Sequence, residues 1–182
     1  MVKKHPNSYS SGSKFFHWLI ALIVILMLVG SFFLEDLPKE YIGSAFMMHK
    51  SFGITVLFLM LLRLFWLGIS GKVPLPATVP RWERVVSHFV QYALYLFLIL
   101  MPLSGWIMSV AANKIPYYFG LFHFSLPGIE PSKDLAVLMK QTHNIMAWII
   151  IALVVLHIAG AIKHHFIDKD EVLRRMLPGH KA

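Results

Sequence analysis

Hydrophobic residues along this chain come in four long blocks separated by short polar, basic or proline-rich stretches. Runs such as LIALIVILMLV and WIIIALVVL are apolar at every position. The alternation that a membrane β-barrel strand needs is missing from them, which leaves helices as the backbone solution in lipid. Residues 15–34 form a block of twenty positions without a formal charge, enough at about 1.5 Å per residue to cross a hydrocarbon core of about 30 Å. Residues 88–112 and 141–163 are long enough as well, with uncharged cores at 89–112 and 141–162 and Lys163 closing the second. The block at 45–69 carries Lys50 and Arg63 near its two ends, where long side chains snorkel to the headgroups. The predicted fold is all-α, an integral membrane four-helix bundle forming a single domain over residues 1–182.

The stretches between the blocks read as connectors. Residues 1–14 are a polar, Ser-rich tail, expected to be mobile, and GKVPLPATVP at 71–80 cannot continue a helix. The longest connector, 113–140, contains YYFGLFHFSLPGIEP, whose aromatics suggest a cover lying at the outer membrane surface. It ends in a predicted helix start, where Ser132 caps and Asp134 suits the positive end of the helix dipole. Pro102 predicts a kink in the third span, and Gly105 predicts close packing beside it. There is no internal repeat.

Composition supports the membrane reading, with 57% hydrophobic and 14% charged residues. Lys3, Lys4 and Lys14 resemble the basic start of a signal peptide. The apolar core that follows is too long and lacks a small-residue cleavage site, so an uncleaved anchor is expected. Four spans place both termini on one side. With Arg63 assigned to that side and Lys50 to the other, lysines and arginines divide twelve against five, and the positive-inside rule puts both termini in the cytoplasm. The acidic connector EDLPKEY fits the outside. The net charge of +8 reflects this topology and contact with anionic headgroups, and no aromatic-rich basic module argues for nucleic acid. Zero cysteines exclude disulfides, Cys-ligated iron–sulfur clusters and thiol redox chemistry.

Histidine remains as the soft ligand, and its ten copies sort by depth. His17, three residues after Lys14, and His157, six before Lys163, share the cytoplasmic level. His49 and His143 share the outer one. His143 and His157 are fourteen residues apart on one helix, a rise of about 21 Å and nearly four whole turns, so they project from almost one face. A buried imidazole must find partners for its ring nitrogens, either by hydrogen bonding to a neighbouring helix or by ligation. Two levels with two histidines each favour ligation. Bis-histidine haem fits best, because two trans imidazoles complete an iron already held by four porphyrin nitrogens, whereas zinc wants four ligands per site. The residue four positions after each candidate is small: Ala21, Gly53, Ala147 and Ala161. His5 and His180 read as solvated tail residues, and His123 as structural. His88, at the cytoplasmic start of helix 3, suits a haem propionate, a quinone or simple packing. His164 and His165, just past Lys163, suit proton or quinone handling or mark the interface.

Several segments together resemble the prokaryotic cytochrome b561 family: FHW in helix 1, HKSFGI and RLFW at the two ends of helix 2, HFVQYALYLFLILMPLSGW in helix 3, and THNIMAW with LHIAGAIKHHFIDKDEVLRRM in and after helix 4. The resemblance implies a four-helix cytochrome of the bacterial inner membrane holding two haem b groups, with His17, His49, His143 and His157 as iron ligands. Relatives include the cytochrome b subunits of nickel-iron hydrogenases and formate dehydrogenases. It further implies electron exchange between a membrane quinone and a one-electron partner, with superoxide oxidation on the periplasmic side and ubiquinone as acceptor in the most similar branch.

On that reading Lys50, Lys114, Lys133 and Lys140 are placed to steer an anion on the outer side or to anchor helix ends. Arg63, fourteen residues after His49, should reach the inner haem and pair with its propionates, or else snorkel. His88, His164, His165 and Lys163 are the candidates for quinone and proton handling. The chain leaves room for a homo-oligomer. Two rival functions remain: a membrane anchor passing electrons for a separate dehydrogenase or hydrogenase, and a haem-free, histidine-lined transporter or sensor.

Overall fold

A computed structural model describes residues 8–179; His5, His180 and the first seven residues of the expected mobile tail lie outside that range. Four long helices dominate: α1 (Ser11–Ser31), α2 (Lys39–Ser70), α3 (Arg81–Ala111) and α4 (Lys133–Phe166). All four are long and apolar enough to cross a membrane. The 32 residues of α2 amount to about 48 Å of helix, well beyond a hydrocarbon core of about 30 Å. This explains why α2, α3 and α4 begin six to eight residues before the apolar blocks do. Hydrophobicity marks only the lipid-embedded part of a helix, while caps and prolines set its ends. Pro38 and Pro80 immediately precede α2 and α3, and Ser10 and Ser132 cap α1 and α4 through backbone N–H groups of Ser13 and Leu135. The second half of the Ser-rich tail is therefore ordered, with Ser11 to Lys14 already helical.

α1 packs against α2, α2 against α3, and α3 against α4. The core is narrow: Ile20 and Val24 of α1 meet Val56 and Met60 of α2, with Tyr95, Leu98 and Ile99 of α3 against them. Large apolar side chains such as Phe15, Leu26, Phe65, Phe89 and Trp148 point outward, as a bundle solvated by lipid allows. α1 and α4 approach through side chains, Phe32 with Trp148 and His17 with His157. α3 runs unbroken through Pro102.

The connector after α3 folds into a small hairpin, β1 (Tyr117–Tyr118) antiparallel to β2 (Phe122–His123). Its turn places Phe119 and Gly120 at φ 48° and 74°. The aromatic segment does not lie flat over the bundle end. It descends along α2, where Phe119 N donates to the buried Ser51 Oγ (2.9 Å), Tyr118 OH meets Thr55 Oγ1 (3.1 Å), and Phe124 stacks on Trp106 of α3. Ser51, Thr55 and Phe58 are spaced by helical turns, so they form a stripe against which the hairpin docks.

At the opposite end the two ends of the described chain meet. Tyr9 N and Ser8 Oγ donate to Arg175 O, and Trp18 Nε1 donates to Met176 O (2.9 Å), in and beside a 3-10 turn at Arg174–Met176. Arg175 also donates to Pro74 O, tying in the α2–α3 connector. Both ends thus lie at one end of the bundle, as four spans require.

Candidate functional site

The four intramembrane histidines meet in two pairs. His49 of α2 faces His143 of α4 with ring centres 6.4 Å apart, and His17 of α1 faces His157 of α4 at 6.0 Å. These are the pairings expected from depth alone. The ring planes are inclined by 69° and 67°.

The His49–His143 pair, expected on the outer side, is the more completely built. A cavity of about 420 Å³ is lined by both His49 and His143, with Gly53, Gly105 and Ala147 in its walls. Two of these are the small residues that follow His49 and His143 by four positions. Gly105 lets the ring approach closely: a Cβ there would stand 3.0 Å from His143 Cε1, and the ring would have to give way by a few tenths of an ångström. His143 Nδ1 lies 3.0 Å from Ser104 Oγ and 3.1 Å from Met101 O. Ser104 Oγ spends its own proton on Met101 O at 2.7 Å. Both neighbours of Nδ1 therefore accept, Nδ1 carries the ring proton, and the Nε2 lone pair is left for a metal. Ser104 and Met101 escape residue-by-residue reading of the sequence. The signal available was a lone serine after a helix proline, in MPLSG, within an otherwise apolar run.

At the inner level Arg63 Nη1 sits 3.1 Å from His17 Nδ1, and the guanidinium lies 5.5 Å over the Tyr95 ring, whose hydroxyl accepts from Gln91. Arg63 thus reaches the depth its spacing from His49 predicts.

Residues 8–179 match the sequence profile described as prokaryotic cytochrome b561. The chain belongs to the prokaryotic cytochrome b561 family. Cytochrome b561 homolog 2 of Escherichia coli (strain K12) is 35% identical over 177 residues, covering 94% of this chain and 92% of that one. The probable superoxide oxidase CybB of Yersinia pestis is 30% identical over 166 residues, 89% of this chain and 91% of its own. A probable Ni/Fe-hydrogenase B-type cytochrome subunit of Cupriavidus necator is 21% identical over 214 residues, 96% and 86%. Membership makes this a multi-pass electron-transfer protein of the bacterial inner membrane, with b-type haem as its cofactor.

The residues present fit that group. Imidazoles bound trans to one metal at about 2 Å per bond have ring centres about 6 Å apart, and both cytochrome b561 pairs have that spacing. At the His49–His143 pair the Nδ1–H of His143 donates to carbonyl and hydroxyl, which leaves its Nε2 for the metal. At the inner pair the fit needs one exchange: a His17 that ligates through Nε2 carries its proton on Nδ1, so Arg63 gives up this hydrogen bond for another acceptor.

The other candidates occupy two clusters. Lys50 and Lys140 line the outer cavity together with Glu35, and Lys50 Nζ donates to Lys114 O (2.9 Å). Lys133 is the exposed first residue of α4. At the inner end His164 is buried, with Nδ1 2.7 Å from Asp170 and 3.3 Å from Asp168. Its position at the membrane edge in sequence therefore does not make it an open interfacial group. Lys163 bridges Glu83 and Asp168. His165 Nδ1 is buried without a hydrogen-bond partner among the described residues. His88 is exposed with its ring 6.3 Å from Tyr92, and His123 stacks on Tyr117 in the hairpin.

Proposed function

We propose that this protein binds two b haems, one at each histidine pair, and passes electrons across the membrane from a one-electron donor on the outer side, superoxide, to ubiquinone. The observation that carries this reading is the pair of stacked imidazole pairs, each spaced for one metal, built on a single shared helix. A bis-imidazole haem supplies a one-electron iron couple with no open coordination position, which suits outer-sphere transfer. Two superoxide anions each lose one electron to give two dioxygen molecules, and one ubiquinone gains two electrons and two protons to give ubiquinol.

The chain's own residues divide this work. His17, His49, His143 and His157 hold iron. Arg63 pairs with the carboxylates of the inner group. Lys50 and Lys140 on the wall of the outer cavity, with Lys133 beyond it, attract an anion to the outer pair. His88, His164, His165 and Lys163 lie toward the end where the quinone takes up protons, and the excess of basic residues at that end supports a cytoplasmic position for both termini. The 30% identity to the probable superoxide oxidase supports the choice of donor.

Replacing each ligand by alanine and measuring haem per chain tests the assignment. His49→Ala and His143→Ala should lose the same haem, and His17→Ala and His157→Ala the other. One shared phenotype for all four, or loss that follows His88 instead, would overturn it. Rapid mixing of the purified protein with superoxide should then reduce haem, and added ubiquinone should reoxidise it. A haem-loaded protein that superoxide leaves oxidised, and that co-purifies with a soluble dehydrogenase or hydrogenase, would be an anchor subunit.

A further inference from the structure

The two histidine pairs are not equivalent in what stands behind them. Behind His143 are two acceptors, Ser104 Oγ at 3.0 Å and Met101 O at 3.1 Å. Ser104 is buried, so the contact is shielded from water. An imidazole that donates its distal N–H to such acceptors is a more electron-rich ligand, and it favours the more positive, oxidised metal. Behind His17 is a donor and a full positive charge, Arg63 Nη1 at 3.1 Å. Arg63 is only half-exposed and is braced over Tyr95. A cation beside a ligand opposes the extra positive charge of the oxidised metal and favours the reduced one. Turned to the carboxylates of the inner group, the guanidinium keeps the same sign of effect, because it offsets negative charge that would otherwise favour the oxidised metal.

The outer pair has cations nearby as well. Lys50 and Lys140 share the cavity wall with a carboxylate, Glu35, and Lys50 is directed to Lys114 O on the rim. Opposite signs and contact with solvent reduce their effect at the metal compared with a guanidinium braced inside the bundle.

We infer that Ser104 and Arg63 are positioning residues that set the two sites at different reduction potentials, the His49–His143 site lower and the His17–His157 site higher. Electron movement from the outer to the inner level then runs downhill. This rests on the two-haem reading above and adds the residues that make its direction energetically favourable.

A redox titration of the purified holoprotein in detergent, followed in the haem visible bands, tests it alongside a count of haem per chain. The wild type should give two one-electron waves. Ser104→Ala should raise only the lower wave, and Arg63→Gln should lower only the higher one. Arg63→Lys, which keeps the charge, should restore most of the second shift, and Ser104→Thr, which keeps the hydroxyl, should leave both waves in place. If Ser104→Ala fails to load haem, Ser104→Cys, of similar size and a weaker acceptor, should give the same upward shift in smaller measure. Reversed order of the waves, both substitutions moving one wave, or no movement in either would overturn the inference. Fewer than two haems in the wild type would instead overturn the two-haem reading on which it stands.

Discussion

Gly105 faces the His143 ring so closely that a methyl group cannot be added there without moving one of them. Overpacking of this kind costs about 1–3 kcal/mol in a well-packed interior, and here the strained partner is a proposed iron ligand. Gly105→Val should therefore lower haem content from about two per chain toward about one, since displaced ligands lose affinity first. Haem-to-protein ratio measures it, and unchanged stoichiometry would contradict the role of the outer pair. At this scale the pairing of His17 with His157 and of His49 with His143 was legible, because an imidazole in an apolar run is rare and its depth can be counted along a helix. What stands behind them was not. Met101 acts through its carbonyl, which every residue possesses, and Ser104 gains its role only because α3 packs on α4. His164 was legible as a candidate but not as a buried partner of Asp168 and Asp170, because the fold-back of the C-terminal segment has no periodic signal.

Among the elements, the helices follow the apolar blocks and the hairpin departs from expectation. Its strands are two residues each and its turn holds Phe119 at positive φ, a conformation that no turn-forming residue type announced. Docking explains it. Ser51 is fully buried, accepts from Phe119 N and donates to Met47 O. Removing its hydroxyl leaves a buried N–H short of a partner, a loss of about 1–3 kcal/mol. Ser51→Ala should accordingly lower the thermal midpoint in detergent and speed proteolysis within 117–123, while Ser44→Ala, which removes an exposed hydroxyl bonded to Tyr41 O, should change little. The N-cap of α4 was read correctly from Ser132, and Ser132→Ala should cost about 1 kcal/mol in the same assay.

Over the whole molecule, the ends of the described chain are joined by Trp18, Tyr9 and Arg175, and Lys163 and His164 hold the segment after α4 through Asp168, Glu83 and Asp170. The proposed cytoplasmic placement of both termini predicts that a fluorescent protein fused after Ala182 is bright and a phosphatase fused there is inactive. The reverse pattern would invert the proposed direction of the electron path. Trp18→Phe removes only the hydrogen bond to Met176 O, and should expose the C-terminal segment to protease without loss of haem.

The sharing of α4 between both levels also constrains how the protein is made. His143 and His157 belong to the fourth of the described spans to leave the ribosome, so a nascent chain with three helices inserted holds at most one imidazole for each pair. On the proposed ligation, neither site can close around its cofactor until α4 has been made. Loading then becomes a single event in which α4 completes both sites at once, and a chain interrupted before α4 remains in the bilayer without a stable cofactor rather than as a half-loaded redox protein.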